Sequence, residues 1–354
     1  MKPRPAIAAL EPYRPPQERA AALRLDFNEN TRGCAPAVLR ALRGATAETL
    51  ATYPAVEPAE AAIAAAFGHS PATCLLTNGT DDAILLAAMT WLEAGAEAIV
   101  LRPSFALFRF YSAQMGAEVV ELELPDHGGQ FFTPVEQILA AATPRTRLIF
   151  LATPNNPTGH ATPRAAVLAL CQELPETVVF ADEAYADFLD DPRESLLGDV
   201  GPVPNLMVSR TFSKAHGLAG VRLGCLFAAP EAMAWLRRAH SPYNVNSLAA
   251  QCGRAAVQSP EWARASAVEA RQAREIIEQA LAEAGIPYWR SQANFVLFDA
   301  GARAAGLLAG MRERGILLRD RGRDRAGALR ISCGTVGQTT LACEALREVW
   351  RGLA

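Results

Sequence analysis

The chain has 354 residues, 50% of them apolar and 20% charged, with a formal net charge of −3. That composition supplies a sizeable core, enough for one big α/β domain or a large domain plus a smaller one, and it excludes a disordered chain. A near-neutral balance with no long Lys/Arg run argues against a nucleic-acid partner and against a polybasic membrane patch.

Residues 1–30 read as irregular and proline-rich, and they end in "LRLDFNEN". Prolines in "MKPRPAIAALEPYRPPQ" interrupt the continuous apolar stretch that a signal peptide needs. From about residue 35 helices alternate with short apolar strands. "DAILLAAMTWLEAG" (82–95) predicts a helix ended by Gly95, and "AIVLRP" a strand. "EVVELEL", "RLIFLATP" and "TVVFADEAY" predict further strands, separated by helical runs such as "PRAAVLALCQEL"; "NLMVSR" and "LGCLFAA" follow. This alternation implies an α/β fold with a mostly parallel sheet covered on both faces.

After about residue 230 the helices lengthen, notably "EWARASAVEARQAREIIEQALAEAG". The strands "ANFVLFDA", "GILLRD" and "ALRISCG" then suggest a smaller α+β lobe. No segment approaches the ~20 apolar residues of a membrane span. Seven scattered cysteines without a C-x-x-C pair read as small core residues in a reducing compartment, with no disulfide framework or metal site. A cytoplasmic protein is expected.

Three segments carry polar residues just after predicted strands. "LATPNNPTG" (151–159) is a strand running into turn formers, read equally as a surface turn. "VVFADEAYADF" sets Asp182, Glu183 and Tyr185 at a strand's C-terminal end, where open α/β sheets hold ligands; Asp182 would serve equally as a helix cap. "LLTNGTDDAILLAAM" (75–89) opens a helix at Thr80 and Asp81, whose free amides suit a phosphate or an ordinary cap. The fourth segment, "VSRTFSKAHGLAGVRLGCLFA", places Lys214 between apolar runs, behind Thr211 and Ser213 and ahead of Arg222. A lysine is costly to bury without a partner.

With "NEN", "YP", "NGTDDAI", "PSFALF", "NNPTG", "DEAY", "SKAHGLAGVRLG", "NFVLF" and "LRIS" in this order, the chain resembles the fold-type I aminotransferases that use pyridoxal 5′-phosphate (PLP). Within them it is most similar to the histidinol-phosphate aminotransferase family, from about residue 4 to 350. The resemblance implies a three-layer αβα large domain over 41–240, a small α+β domain over 241–354, and an N-terminal arm over 1–40 that contributes to the small domain and to dimer contacts. It implies that Lys214 tethers PLP covalently and moves the substrate proton. Thr211, Ser213, Arg222 and the amides of Thr80 or Asp81 would hold the cofactor phosphate. Asp182 would keep the ring nitrogen protonated, and Tyr185 and Asn156 would donate to the ring oxygen. Phe105 stands where the family usually stacks a tyrosine.

For the substrate, the resemblance assigns Arg330 to a carboxylate or phosphate and Arg319 to a second anion, with Arg321 an adjacent competitor, joined by Asn30 and Tyr13. A planar guanidinium fork fits either anion. Tyr53 in "ATYP" would reach the neighbouring subunit's cofactor phosphate, implying a homodimer with shared active sites. The implied reaction transfers the amino group of L-histidinol phosphate to 2-oxoglutarate. An aromatic amino-acid aminotransferase or a threonine-phosphate decarboxylase would use nearly the same residues. A non-catalytic regulator built on this fold is the competing class; it is opposed by the filled catalytic positions. The family's "NENP" appears as "NENT", with Thr31 for proline. His216 replaces the aromatic usual after "SKA" and reads as a packed or capping histidine.

Overall fold

The computed structural model describes residues 1–10 and 21–353, so Tyr13 lies outside the described residues. Seven strands build the large sheet: β1 (Cys74–Thr77), β2 (Glu97–Arg102), β3 (Glu118–Glu123), β4 (Thr146–Ala152), β5 (Val178–Asp182), β6 (Leu206–Thr211) and β7 (Gly224–Ala228). Their order is β1-β7-β6-β5-β4-β2-β3. Strands β2 to β6 pair in parallel, and β7 runs antiparallel to both of its neighbours. The mostly parallel α/β sheet expected from the pattern is present, with one reversed strand.

The strands read as unbroken apolar runs because both faces of this sheet are covered. Ile99, Ile149, Leu151, Val179, Ala181 and Val208 face one core. Their strand neighbours Ala98, Leu148, Phe150, Val178, Phe180 and Met207 face another. Helix α1 (Thr80–Trp91) packs into the second of these cores. It ends at Trp91 rather than at Gly95, because Leu92 is already extended and Gly95, at φ 93°, serves the turn into β2. Helix α2 (Ser247–Val257) lies beyond the residue 240 expected to close the large unit. Its Ala249, Ala250, Cys252 and Ala256 nevertheless pack into the first core.

A third core lies under α3 (Pro260–Glu283) and α4 (Val336–Gly352). These two helices pack on an antiparallel sheet of β8 (Tyr288–Trp289), β9 (Phe295–Asp299), β10 (Arg319–Asp320) and β11 (Ala328–Ser332), ordered β8-β9-β11-β10. The expected strand "GILLRD" is split. Ile316–Leu317 pairs in parallel with Leu23–Arg24, and only Arg319–Asp320 joins β11. The N-terminal segment is thereby fastened to this second unit and then runs toward the large sheet. Thr31 secures its far end: the hydroxyl donates to Gln338 Oε1 and accepts from the Thr335 amide, at the start of α4.

Among the described residues, no helix is long and apolar enough to cross a membrane.

Candidate active site

The C-terminal ends of the parallel strands, where such sheets hold their ligands, carry the polar residues. Asp182 is the last residue of β5 and is paired in register with Ser209 on β6. It is buried, and its Oδ1 accepts from the Ser209 hydroxyl at 2.7 Å. Burial pushes this carboxyl up to about 6, against the opposing pull of Ser209 and of the Ala184 amide. An acid held in this way favours a cationic partner. Thr211 ends β6, and its hydroxyl accepts from the Ser213 amide at 3.1 Å.

Lys214 follows directly. Its Nζ donates to the Phe27 carbonyl at 3.0 Å and lies 5.6 Å from the centre of the Tyr185 ring. Tyr185 is itself buried, edge-on to Phe295 at 5.1 Å. No carboxylate faces this lysine at ion-pair distance among the described residues. The amine therefore rests on a neutral carbonyl acceptor.

Beside it, the start of α1 and residues 222–224 form a cradle. Gly79 caps α1 at φ 79° with no side-chain cap, so the first helical amides lack the usual internal acceptor. A Cβ at Gly79 would lie 2.5 Å from Arg222 Nη2, and one at Gly224 would lie 2.9 Å from the Thr80 amide nitrogen. Only glycines let the guanidinium and β7 approach the helix start this closely. Arg222 adopts φ 57° and bonds Asp81 Oδ2 at 3.1 Å and the Ala219 carbonyl at 3.1 Å. Free amides, the hydroxyls of Thr211 and Ser213 and a guanidinium make a donor set suited to a phosphate dianion.

A second cationic group faces the site from the small sheet. Arg330 on β11 is buried; it donates from Nη1 to Asn156 Oδ1 and from Nη2 to the Asp26 carbonyl at 2.7 Å. Its Nε has no hydrogen-bond partner among the described residues. Burial, reinforced by nearby Arg321 and Arg319, pulls Arg330 down to about 9. Guanidinium stays charged at neutral pH even so, and the low value marks a cation whose counter-charge is incomplete. Arg319 is paired in register with Arg330, and its guanidinium lies 5.1 Å over the Phe27 ring. Arg321 is held by Asp324 at 2.7 Å. Asn30 donates to the Ala215 carbonyl at 3.0 Å, next to Lys214.

The fold thus gathers Thr80, Asp81, Asn156, Asp182, Tyr185, Thr211, Ser213, Lys214, Arg222, Arg330, Arg319 and Asn30 around one region. Phe105 is half-buried at the start of helix Ala106–Met115, edge-on to Phe108 at 5.7 Å. Tyr53 stands apart: it is 80% exposed and stacks on Tyr243 at 4.6 Å. His216 packs on the Phe212 ring at 4.7 Å, and burial lowers its pKa, as a packed histidine requires. The sequence reading missed Asn28, Ser209 and Ser332. Two of these had a visible signal, since Ser209 and Ser332 lie two residues from Thr211 and Arg330 on the same strand faces. Asn28 is buried and donates from Nδ2 to the Tyr185 hydroxyl at 2.9 Å.

Residues 21–346 match the family of class I and II aminotransferases, and the chain belongs to that family. Among its relatives, histidinol-phosphate aminotransferase 2 of Ralstonia nicotianae is 39% identical over 94% of this chain and 89% of its own length. Histidinol-phosphate aminotransferase of Symbiobacterium thermophilum is 35% identical over 97% of both chains. The crystal structure of histidinol-phosphate aminotransferase from Sinorhizobium meliloti in complex with pyridoxal-5′-phosphate superposes with a TM-score of 0.88, at 29% identity, covering 99% of this chain and 98% of that one.

Proposed function

We infer that this aminotransferase moves the amino group of L-histidinol phosphate to 2-oxoglutarate, giving imidazole-acetol phosphate and L-glutamate in histidine biosynthesis. The observation that carries the reading is the near-complete coverage by histidinol-phosphate aminotransferases at 30–39% identity, over a site with two arginines in register. The enzyme uses PLP, and the donor set fits that cofactor. A phosphate would lie among the Thr80 and Asp81 amides, Thr211, Ser213 and Arg222; a protonated ring nitrogen would answer the buried Asp182. When bound, PLP supplies the electron sink that stabilises negative charge at the substrate Cα.

The chain's own residues do the rest. Lys214 would hold the cofactor through Nζ and would serve as the base that takes the proton from the substrate Cα and as the acid that gives it back. Asp182 would keep the proton on the ring nitrogen, and Tyr185 and Asn156 would donate to the ring oxygen. Phe105 would cover the ring without offering a hydroxyl. Arg330, with its open Nε, takes the substrate or 2-oxoglutarate anion, and Arg319, helped by Asn30 and Tyr13, binds the second anion. The exposed stack of Tyr53 on Tyr243 supports a homodimer in which Tyr53 completes the partner's phosphate site. A cytoplasmic location fits seven free thiols.

A substrate panel tests the reading: histidinol phosphate, phenylalanine, tyrosine, histidine and threonine phosphate, each with 2-oxoglutarate. Histidinol phosphate is expected to give the highest kcat/KM. A preference of about tenfold or more for an aromatic amino acid, roughly 1.4 kcal/mol in transition-state binding, would overturn the named donor and leave the cofactor in place.

A further inference from the structure

We propose that Asn28 is a positioning residue that fixes which way the Tyr185 hydroxyl points, so that its proton is always aimed into the active site. This rests on the reading of Tyr185 as a donor to the cofactor's ring oxygen.

Three hydrogen bonds, to Ser332 twice and to Tyr185, surround Asn28. An amide side chain can be turned either way, and only its hydrogen-bond network decides which end carries the oxygen. At Asn28 the structure turns Oδ1 toward Ser332 and Nδ2 toward Tyr185. The Asn28 backbone N–H donates to Ser332 Oγ at 2.9 Å, which uses the serine oxygen as an acceptor. The serine's proton goes to Asn28 Oδ1, also at 2.9 Å. Nδ2 is left to face Tyr185, and it can only donate, at 2.9 Å. The Tyr185 oxygen is thereby an acceptor in this bond. Its own proton must lie elsewhere, on the side away from Asn28.

The device is rigid. Asn28 is buried at φ 56°, a left-handed conformation that asparagine and aspartate tolerate better than other side chains. Its carbonyl accepts from Asn294 Nδ2 at 3.2 Å, and the Ser332 amide donates to the Leu25 carbonyl at 2.9 Å. The charged groups around Tyr185 are Lys214, 5.6 Å from the ring, and Arg330, backed by Arg319 and Arg321 with Asp26 opposing. None of them competes for the bond from Asn28.

The test compares Asn28→Asp, Ser332→Ala and Tyr185→Phe in the PLP-loaded enzyme. The readout is the pH midpoint of the cofactor's visible absorbance, measured beside thermal stability. A donated proton favours the deprotonated form of the chromophore, so Tyr185→Phe is expected to raise the midpoint. Asn28→Asp keeps the shape and the Ser332 bond but presents an acceptor. The Tyr185 proton turns toward it, and the midpoint rises by about one pH unit, a tenfold change in the proton equilibrium. Ser332→Ala frees the amide to flip and is expected to raise the midpoint by a smaller amount, which keeps the test open should Asn28→Asp fail to fold.

In the Tyr185→Phe background both effects are expected to shrink to less than half. Equal shifts of Asn28→Asp in the two backgrounds would mean a through-space charge effect and would overturn the role of Asn28 alone. If Tyr185→Phe leaves the midpoint unmoved, Tyr185 does not address the cofactor, and the underlying reading falls with the proposal.

Discussion

Two buried arginines on neighbouring parts of the fold have opposite fates. Arg210, on β6 next to Thr211, bonds Asp187 at 2.7 Å and Glu183 at 3.4 Å, and lies over the Phe67 ring at 5.3 Å. Burial opposes its charge, yet Asp187 and Glu183 outweigh that and hold it above the usual guanidinium range. Arg330 is as deeply buried, but it meets an amide oxygen and a carbonyl, keeps Nε open and is pulled down to about 9. Burial alone therefore says little about function. What separates the two is whether the counter-charge comes from the protein or must arrive with a ligand.

The sharpest way to break this contrast is to remove each guanidinium in turn. Arg210→Met leaves Glu183 buried without its cation and is expected to cost about 3–5 kcal/mol of stability. The visible spectrum of the folded, PLP-loaded fraction should stay unchanged. Arg330→Ala is expected to lower kcat/KM about a hundredfold or more for both substrates while PLP affinity and melting temperature move little, because the lost charge was poorly compensated. Denaturant unfolding and steady-state kinetics on both variants separate the outcomes. Equal damage to PLP and to substrate binding in Arg330→Ala would dissolve the distinction.

A carboxylate shows the same logic with the sign reversed. Asp182 is raised by burial from an ordinary 3.8 to about 6. Between those values the folded protein holds a proton that the unfolded chain has released. Stability of the cofactor-free protein therefore falls as pH rises through that window, and the penalty is complete above about pH 6. Asp182→Asn keeps an oxygen for the Ser209 hydroxyl and removes the penalty. Without PLP it is expected to be more stable than the parent at neutral pH, by up to about 3 kcal/mol, with the advantage gone near pH 4. Adding PLP should reverse the ranking, since only the carboxylate answers a protonated ring nitrogen. Melting curves at two pH values, with and without cofactor, decide it.

How much of this was legible beforehand depended on the range of the interaction. The strands that end in Asp182 and Thr211 announce themselves by apolar runs, and the polar residue after each run marks the ligand edge of the sheet. Lys214 and Arg222 are near in sequence and stay near in space. The part played by Asn28 within the N-terminal arm was not legible. Asn28 bonds Ser332 and Asn294, each more than 250 residues away, and no local period reports such a pairing. The split of "GILLRD" was hidden for the same reason: half of it pairs with Leu23–Arg24, across nearly the whole chain. Thr31, read as a departure from "NENP", proves to be a tie to the start of α4.

The smallest expected effect concerns the pair that sequence left open, Arg319 and Arg321. Both lie near Arg330, and their alternation along the strand puts them on one face. Arg321 is engaged by Asp324 at 2.7 Å. Arg319 pairs with no described carboxylate and is steadied instead by the Phe27 ring, a contact that leaves its planar fork able to bind an anion. Arg319→Ala is therefore expected to raise KM for histidinol phosphate about tenfold, near 1.4 kcal/mol, with a weaker effect on donors lacking a phosphate. Arg321→Ala should change it less than about threefold, because its charge is already spent on Asp324 and a truncation there frees that acid without uncovering a ligand contact. The reverse order would assign the second anion to Arg321 and would require Asp324 to release it when substrate binds.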